Sequence, residues 1–208
     1  MTEHSHTALV VVDIQIGALD STFWGASRSN LSFEQNIIKL LSAFRSTAGT
    51  HVIHVQHESI NPASPLHPSS AAMGFHKSSL PLPTEPIITK STNSAFIEPN
   101  LERLLKERQI WKIYFVGLSL DWCLGSTIRH ASDLRVADHV GEDGRLVKGD
   151  IVVVDDAVAA WEKKGGKFDA ETVHGVQIEC LRGEFAQVLD TKGVLKELGI
   201  EEAQLSSE

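Results

Sequence analysis

Two cysteines in a chain of 208 residues, Cys123 and Cys180, are too few for a disulfide framework. No apolar run reaches the ~18–20 residues that a membrane-spanning helix needs, and the first residues carry no apolar signal segment. These absences lead to the expectation of a reducing, cytoplasmic location and no membrane partner. Positive charge is in deficit as well. The formal net charge is −8, whereas nucleic-acid binders rely on Lys and Arg to neutralise phosphates, so no nucleic-acid partner is expected. The chain also lacks a glycine-rich nucleotide fingerprint after a strand, and it lacks the Gly-x-Ser-x-Gly elbow of serine hydrolases. No internal repeat is present.

What remains is the composition of an ordinary folded protein. Hydrophobic residues make up 42% and charged residues 22%, which argues against disorder. The length suits one domain over residues 1–208, with 1–7 as a loose polar tail. Ala8 to Val12 is a continuous apolar run ending at Asp13. Such a run, without polar alternation, reads as a strand buried on both faces. Further strands are predicted at Val52–Gln56, Ile87–Thr89, Ile113–Val116, Ile151–Val154 and Phe185–Leu189. Helices are predicted at Ser32–Phe44, Leu101–Glu107 (opened by Pro99 and Asn100), Asp121–Leu134, Asp169–Leu181 and Thr191–Leu198. In the first helix Phe33, Ile37, Leu40, Leu41 and Phe44 recur at helical spacing, and Ser32 with Gln35 suggests a capping box. Residues 60–86 are rich in Pro and Ser and read as a long loop of the kind that often carries function. The alternation of strands and helices predicts an α/β protein with a mostly parallel sheet.

In such sheets, sites collect at the C-terminal ends of strands. Three chemistry-bearing residues fall there. Cys123 follows a strand and a turn and opens a helix, where free N–H groups and the helix dipole favour a thiolate, although a buried inert Cys is the common fate of the residue type. Cys180 sits mid-helix beside Ile178 and Leu181 and reads as core. Asp13 closes a strand of aliphatics. It is either a capping or solvated Asp, or a buried one with partners that serves as general base. Lys90 ends another strand. Solvation is the usual fate of Lys, but beside Asp13 and Cys123 its cation would hold a thiolate and tune the carboxylate.

Three stretches resemble the isochorismatase-like, or cysteine hydrolase, superfamily. They are Val12-Asp13-Ile14-Gln15, then Ile88-Thr89-Lys90-Ser91-Thr92-Asn93-Ser94-Ala95-Phe96, then Gly117-Leu118-Ser119-Leu120-Asp121-Trp122-Cys123 with Thr127 and Ala131 after it. Val52 to Ser59 is similar too, and the likeness runs over nearly the whole chain in order. The resemblance implies a three-layer sandwich, a six-stranded sheet of order 3-2-1-4-5-6 with helices on both faces. It implies a triad of Asp13, Lys90 and Cys123, a non-proline cis peptide before Ser119, and an oxyanion hole from the backbone N–H groups of Ser119 and Cys123. It further implies thiolate attack on a carbonyl, loss of an amine or ammonia, and hydrolysis of a thioester in a homo-oligomeric enzyme. Two departures stand out. Leu120 occupies a place where Thr is common in the family. Extra residues lie between Leu134 and Ile151, and these read as a polar surface excursion.

His51, His54 and His57 tempt a metal reading. A spacing of three along a strand alternates faces, so they cannot converge on one ion. The zinc-binding Asp-x-His pattern of the nicotinamidase branch is replaced here by Gln56-His57-Glu58-Ser59. Neither a metal nor another cofactor is therefore expected. Substrate-binding candidates are Gln15, Phe23, Asn93, Trp122 and His57, with Trp24 and Trp161 as weaker ones, since aromatic and amide groups commonly line small-molecule sites. The leading expectation is hydrolysis of a C–N bond in a small amide, ureide or carbamate. One alternative is enol-ether hydrolysis releasing pyruvate, although family members that do so lack Cys at this position. Another is a non-catalytic protein that binds a small molecule.

Overall fold

The computed structural model describes residues 4–98 and 100–200, so Pro99 lies outside it. Six strands form the central sheet: β1 (Thr7–Val12), β2 (His51–His57), β3 (Ile87–Lys90), β4 (Lys112–Gly117), β5 (Asp150–Val158) and β6 (Gln187–Leu189). Their spatial order is 3-2-1-4-5-6, and every neighbouring pair is parallel. The helices are α1 (Ser21–Trp24), α2 (Phe33–Ser46), α3 (Asn100–Glu107), α4 (Cys123–Asp133), α5 (Ala170–Leu181) and α6 (Thr191–Glu197).

Strand alternation divides the core between two faces. Ala8, Val10 and Val12 point to one side, with Leu101 and Leu105 of α3, Leu124 and Ile128 of α4, and Ile178 and Leu181 of α5. Leu9 and Val11 point to the other side, where Phe33, Ile37, Leu40, Leu41 and Phe44 of α2 and Val194 and Leu195 of α6 cover them. The apolar stripe read from the α2 sequence is thus the face that is buried. Three layers follow from two-sided burial of the strands.

Several local expectations are corrected. The tail is shorter than 1–7: Thr7 is buried in β1, and His6 stacks on Trp111 with ring centroids 3.6 Å apart. The capping box does not form. Ser32 has φ −92° and ψ 8°, and its side chain makes no capping hydrogen bond. Buried Asn36 in the first turn instead ties the helix to β5, its Nδ2 donating to Asp156 O at 2.8 Å. Helix α4 begins at Cys123, two residues later than expected. Cys180 is exposed rather than core. The buried stripe of α5 runs through Ala170, His174, Ile178 and Leu181, and two residues beyond Ile178 a helix has turned about 200° away from it. The extra residues before β5 form a small antiparallel ribbon, His139–Val140 against Leu146–Val147. It precedes β5 and follows the end of α4, which puts it at the sheet edge opposite Cys123.

Gly117 ends β4 beside β1. Its φ is +121°, and a Cβ there would lie 2.1 Å from Val12 O. Replacing it with Ala would force the two central strands apart. Gly117→Ala is expected to lose about 3 kcal/mol of stability, read as a lowered midpoint in urea denaturation. An unchanged midpoint would contradict this account of the turn.

Candidate active site

Four adjacent strands deliver the site. Across the sheet the order β4, β1, β2, β3 brings the Cys123 turn, Asp13, His57 and Lys90 to one edge. This is where the chain reverses its winding direction, the usual place for a crevice in an open α/β sheet. Asp13 follows Val12 with φ +55°, a left-handed conformation that Asp tolerates better than most residues. Its backbone N–H donates to Val55 O at 2.9 Å. His57 and Lys90 are register partners in the β2–β3 pair.

Asp13 and Lys90 are both buried, with 4% and 1% of their side chains exposed. Lys90 Nζ donates to Asp13 Oδ2 at 2.7 Å, to Thr92 O at 3.0 Å and to His57 Nδ1 at 3.0 Å. Two charges removed from water are tolerable only with such geometry and with their remaining donors satisfied. Asp13 Oδ1, by contrast, is buried without a hydrogen-bond partner. One atom each of Asp13, His57 and Cys123 lie within 4.8 Å of one another. That donor set could hold a metal ion. The Lys90 ammonium, bonded to both Asp13 and His57, already supplies a cation to it. His51 faces Arg108, and His54 is buried against Glu85, so the three histidines go to separate surroundings.

Cys123 is the first residue of α4. Its Sγ donates to Asn93 Oδ1 at 3.6 Å. Burial pushes its thiol up to about 12; the Asp13 carboxylate adds to this and the Lys90 ammonium opposes it. The resting group is therefore a thiol, and the helix start does not by itself yield a thiolate. Burial likewise holds His57 below its ordinary value, helped by the Lys90 cation and opposed by Asp13 and the Thr92 carbonyl. The Leu118–Ser119 peptide is cis. Around this turn the N–H groups of Leu118, Leu120, Trp122 and Leu124 go to Val12 O, Ala159 O and, for the last two, Ser119 O. Those of Ser119 and Cys123 have no such acceptor among the described residues.

A cramped cavity of about 40 Å³ borders the thiol, lined by Asp13, Ser119 and Cys123 together with Trp24, Trp122 and Trp161. Leu66, from the long loop 60–86, also lines it. That loop is stapled to the strand end: Ser79 Oγ and His76 N–H both donate to Ile14 O. Trp161 belongs to a short ribbon, Trp161–Lys163, which pairs antiparallel with Gly25–Arg28. Lys163 from this ribbon pairs with Asp121 at 2.9 Å and sits over the Trp122 ring. Asp121 also accepts from Ser119 Oγ.

Of the substrate-binding candidates, Trp122 and Asn93 meet the thiol or its cavity. Phe23 does not line the cavity; it is 39% exposed and packs edge-on against Trp24, which does line it. Gln15 is fully buried, and its amide clamps the backbone of His57: Oε1 accepts from His57 N–H at 2.9 Å, and Nε2 donates to His57 O at 3.1 Å. His57 faces Lys90. Leu66 and the Asp121–Lys163 pair carry no local sequence signal, since each joins segments far apart in the chain.

Fold and site together define a doubly wound α/β protein with an acid, a lysine and a cysteine gathered at its switch point. The isochorismatase domain family matches residues 7–192, and the chain belongs to the isochorismatase family of hydrolases. It is 33% identical over 193 residues to the isochorismatase family protein YrdC of Bacillus subtilis (strain 168), covering 91% of this chain and 95% of that one. A solved isochorismatase-family structure from Chromobacterium violaceum ATCC 12472 aligns with TM-score 0.81 at 28% identity, over 95% of this chain and 96% of the other. A cysteine hydrolase from Pseudomonas syringae pv. phaseolicola 1448A shares the fold, with TM-score 0.77 at 22% identity over 94% and 93% of the two chains.

The buried pair makes a stability prediction. Lys90→Met leaves the Asp13 charge buried without its partner and is expected to cost about 3–5 kcal/mol in urea denaturation. Adding Asp13→Asn should restore part of the loss, because the charge is then removed. A Lys90→Met protein as stable as the wild type would contradict the pairing.

Proposed function

We propose that this hydrolase cleaves a C–N bond of a small amide, ureide or carbamate through a thioester on Cys123. The observation that carries the reading is the division of labour in Asp13: Oδ2 is tied to Lys90, while Oδ1 is buried and unpartnered, in a carboxylate that lies beside the Cys123 thiol. A carboxylate held this way is a general base with a vacant acceptor site. The thiol proton passes to Asp13 as sulfur attacks the substrate carbonyl. The negative charge on oxygen is received by the backbone N–H groups of Ser119 and Cys123. Asp13 returns the proton to the departing nitrogen, and the C–N bond breaks to leave a thioester and free amine or ammonia. Asp13 then takes a proton from water as the water attacks the thioester. Collapse releases the acid and restores the thiol.

The raised thiol fits this sequence. Attack must be coupled to proton transfer to Asp13, because a standing thiolate is scarce at neutral pH. Trp122 and Asn93 border the thiol and would contact the substrate. The cramped, largely apolar cavity favours a small substrate. We further place the enzyme in the cytoplasm, as a homo-oligomer acting on a small molecule without a metal or other cofactor. No helix among the described residues is long and apolar enough to cross a membrane.

The test is product release from a panel of small amides, ureides, carbamates and isochorismate, with wild type and Cys123→Ala compared. Ammonia or amine release is expected, and the variant should lose it by about a thousandfold or more. Pyruvate release from isochorismate that survives in Cys123→Ala would overturn the reading in favour of enol-ether hydrolysis. Binding without turnover of any panel member would favour a binding protein.

A further inference from the structure

An ammonium group has three N–H donors, and in this site all three of Lys90 are taken. One goes to Asp13 Oδ2 (2.7 Å), one to Thr92 O (3.0 Å) and one to His57 Nδ1 (3.0 Å). Cys123 Sγ lies close enough to interact with both Asp13 and Lys90, yet its own hydrogen bond goes to Asn93 Oδ1. The sulfur and the imidazole thus compete for one Lys90 N–H. The first two acceptors are fixed, one by charge and the other by the backbone. His57 is the neutral acceptor, and it is the one that can be given up. Its ring is not there by accident of a loose side chain: Gln15, fully buried, binds the His57 backbone on both sides, and β2–β3 register sets it opposite Lys90.

We propose that His57 is a positioning residue for Lys90: its Nδ1 holds the third ammonium N–H away from Cys123 Sγ at rest, and that N–H passes to sulfur when the thiolate forms. The inference rests on Cys123 as the nucleophile. In the exchange, the S–H proton moves to Asp13, the Lys90 N–H turns from nitrogen to sulfur, and both moves reverse when the thiol is restored. To accept from Lys90, His57 must be neutral with its proton on Nε2. The balance of the groups that face it favours this: burial and the Lys90 cation from β3 disfavour the imidazolium and outweigh Asp13 after β1 and the Thr92 carbonyl, with Cys123 of α4 nearby.

The test needs no substrate. In a Cys180→Ser background, alkylation of Cys123 by iodoacetamide is followed by peptide mass between about pH 7 and 12 for wild type, His57→Leu and His57→Asn. Leu removes the acceptor, and the freed N–H then stabilises the thiolate. The wild-type rate should still be rising near the top of this range, whereas the His57→Leu curve should bend over about 1–2 pH units lower, and at neutral pH it should be about 10–100-fold faster. Asn places Oδ1 near the position of Nδ1 and should restore the wild-type curve. A cavity that had merely loosened would lessen the burial of the thiol and move the bend in His57→Asn as well. A bend unmoved in His57→Leu, or moved equally in both variants, overturns the proposal. If His57→Leu does not fold, imidazole ¹⁵N NMR of the wild type decides. An unprotonated Nδ1 with Nε2–H is expected, and the opposite tautomer overturns it. Turnover that survives Cys123→Ala would instead remove the nucleophile reading, a separate failure seen only with substrate.

Discussion

Two opposite charges buried side by side set the terms for the rest of the molecule. Asp13 and Lys90 come from strands that are not neighbours; β2 runs between them. Each charge would be far too costly alone in this interior. Their attraction repays the loss of water only if the ammonium finds two further acceptors, and the Thr92 carbonyl and the His57 ring provide them. The strand order 3-2-1-4-5-6 is what allows this. It sets β1 at the centre, with β2 and β3 on one side and the Cys123 turn after β4 on the other.

The same burial shapes the nucleophile. A Cys at a helix start in water would gain a lower pKa from the dipole. Here removal from water dominates, and the group rests as a thiol. Its proton must leave toward a base at the moment of attack, and Asp13 has a vacant oxygen for it. The walls serve the same end. Trp24, Trp122 and Trp161 leave little room for bulk water over the sulfur, which strengthens every electrostatic interaction inside.

How far the sequence reveals this depends on the length scale of each cause. The apolar runs of β1, β4 and β5 and the stripe of α2 are local patterns, and each element formed about where the pattern predicts. Asp13, Lys90 and Cys123 are legible as candidates because each ends a strand or opens a helix, and the family resemblance groups them. Features decided by geometry at short range were less legible. Ser32 and Gln35 have the residues of a capping box, but the chain enters α2 with ψ 8° at Ser32, outside the extended region a cap needs. Trp24, rather than Phe23, turns inward, held by its Nε1–H to Gly17 O at 2.7 Å. Gln15 is a clamp on His57, a role set by the meeting of the turn after β1 with the end of β2, which no local pattern announces.

The most direct measurement of the central claim is acylation of the protein by p-nitrophenyl acetate, a small activated ester, with the acetyl group located by peptide mass. The account predicts one acetyl per chain on Cys123, formed with a burst of p-nitrophenol, and neither in Cys123→Ala. Normal release of p-nitrophenol by a folded Cys123→Ala protein, at the wild-type rate and with a matching burst, would contradict it.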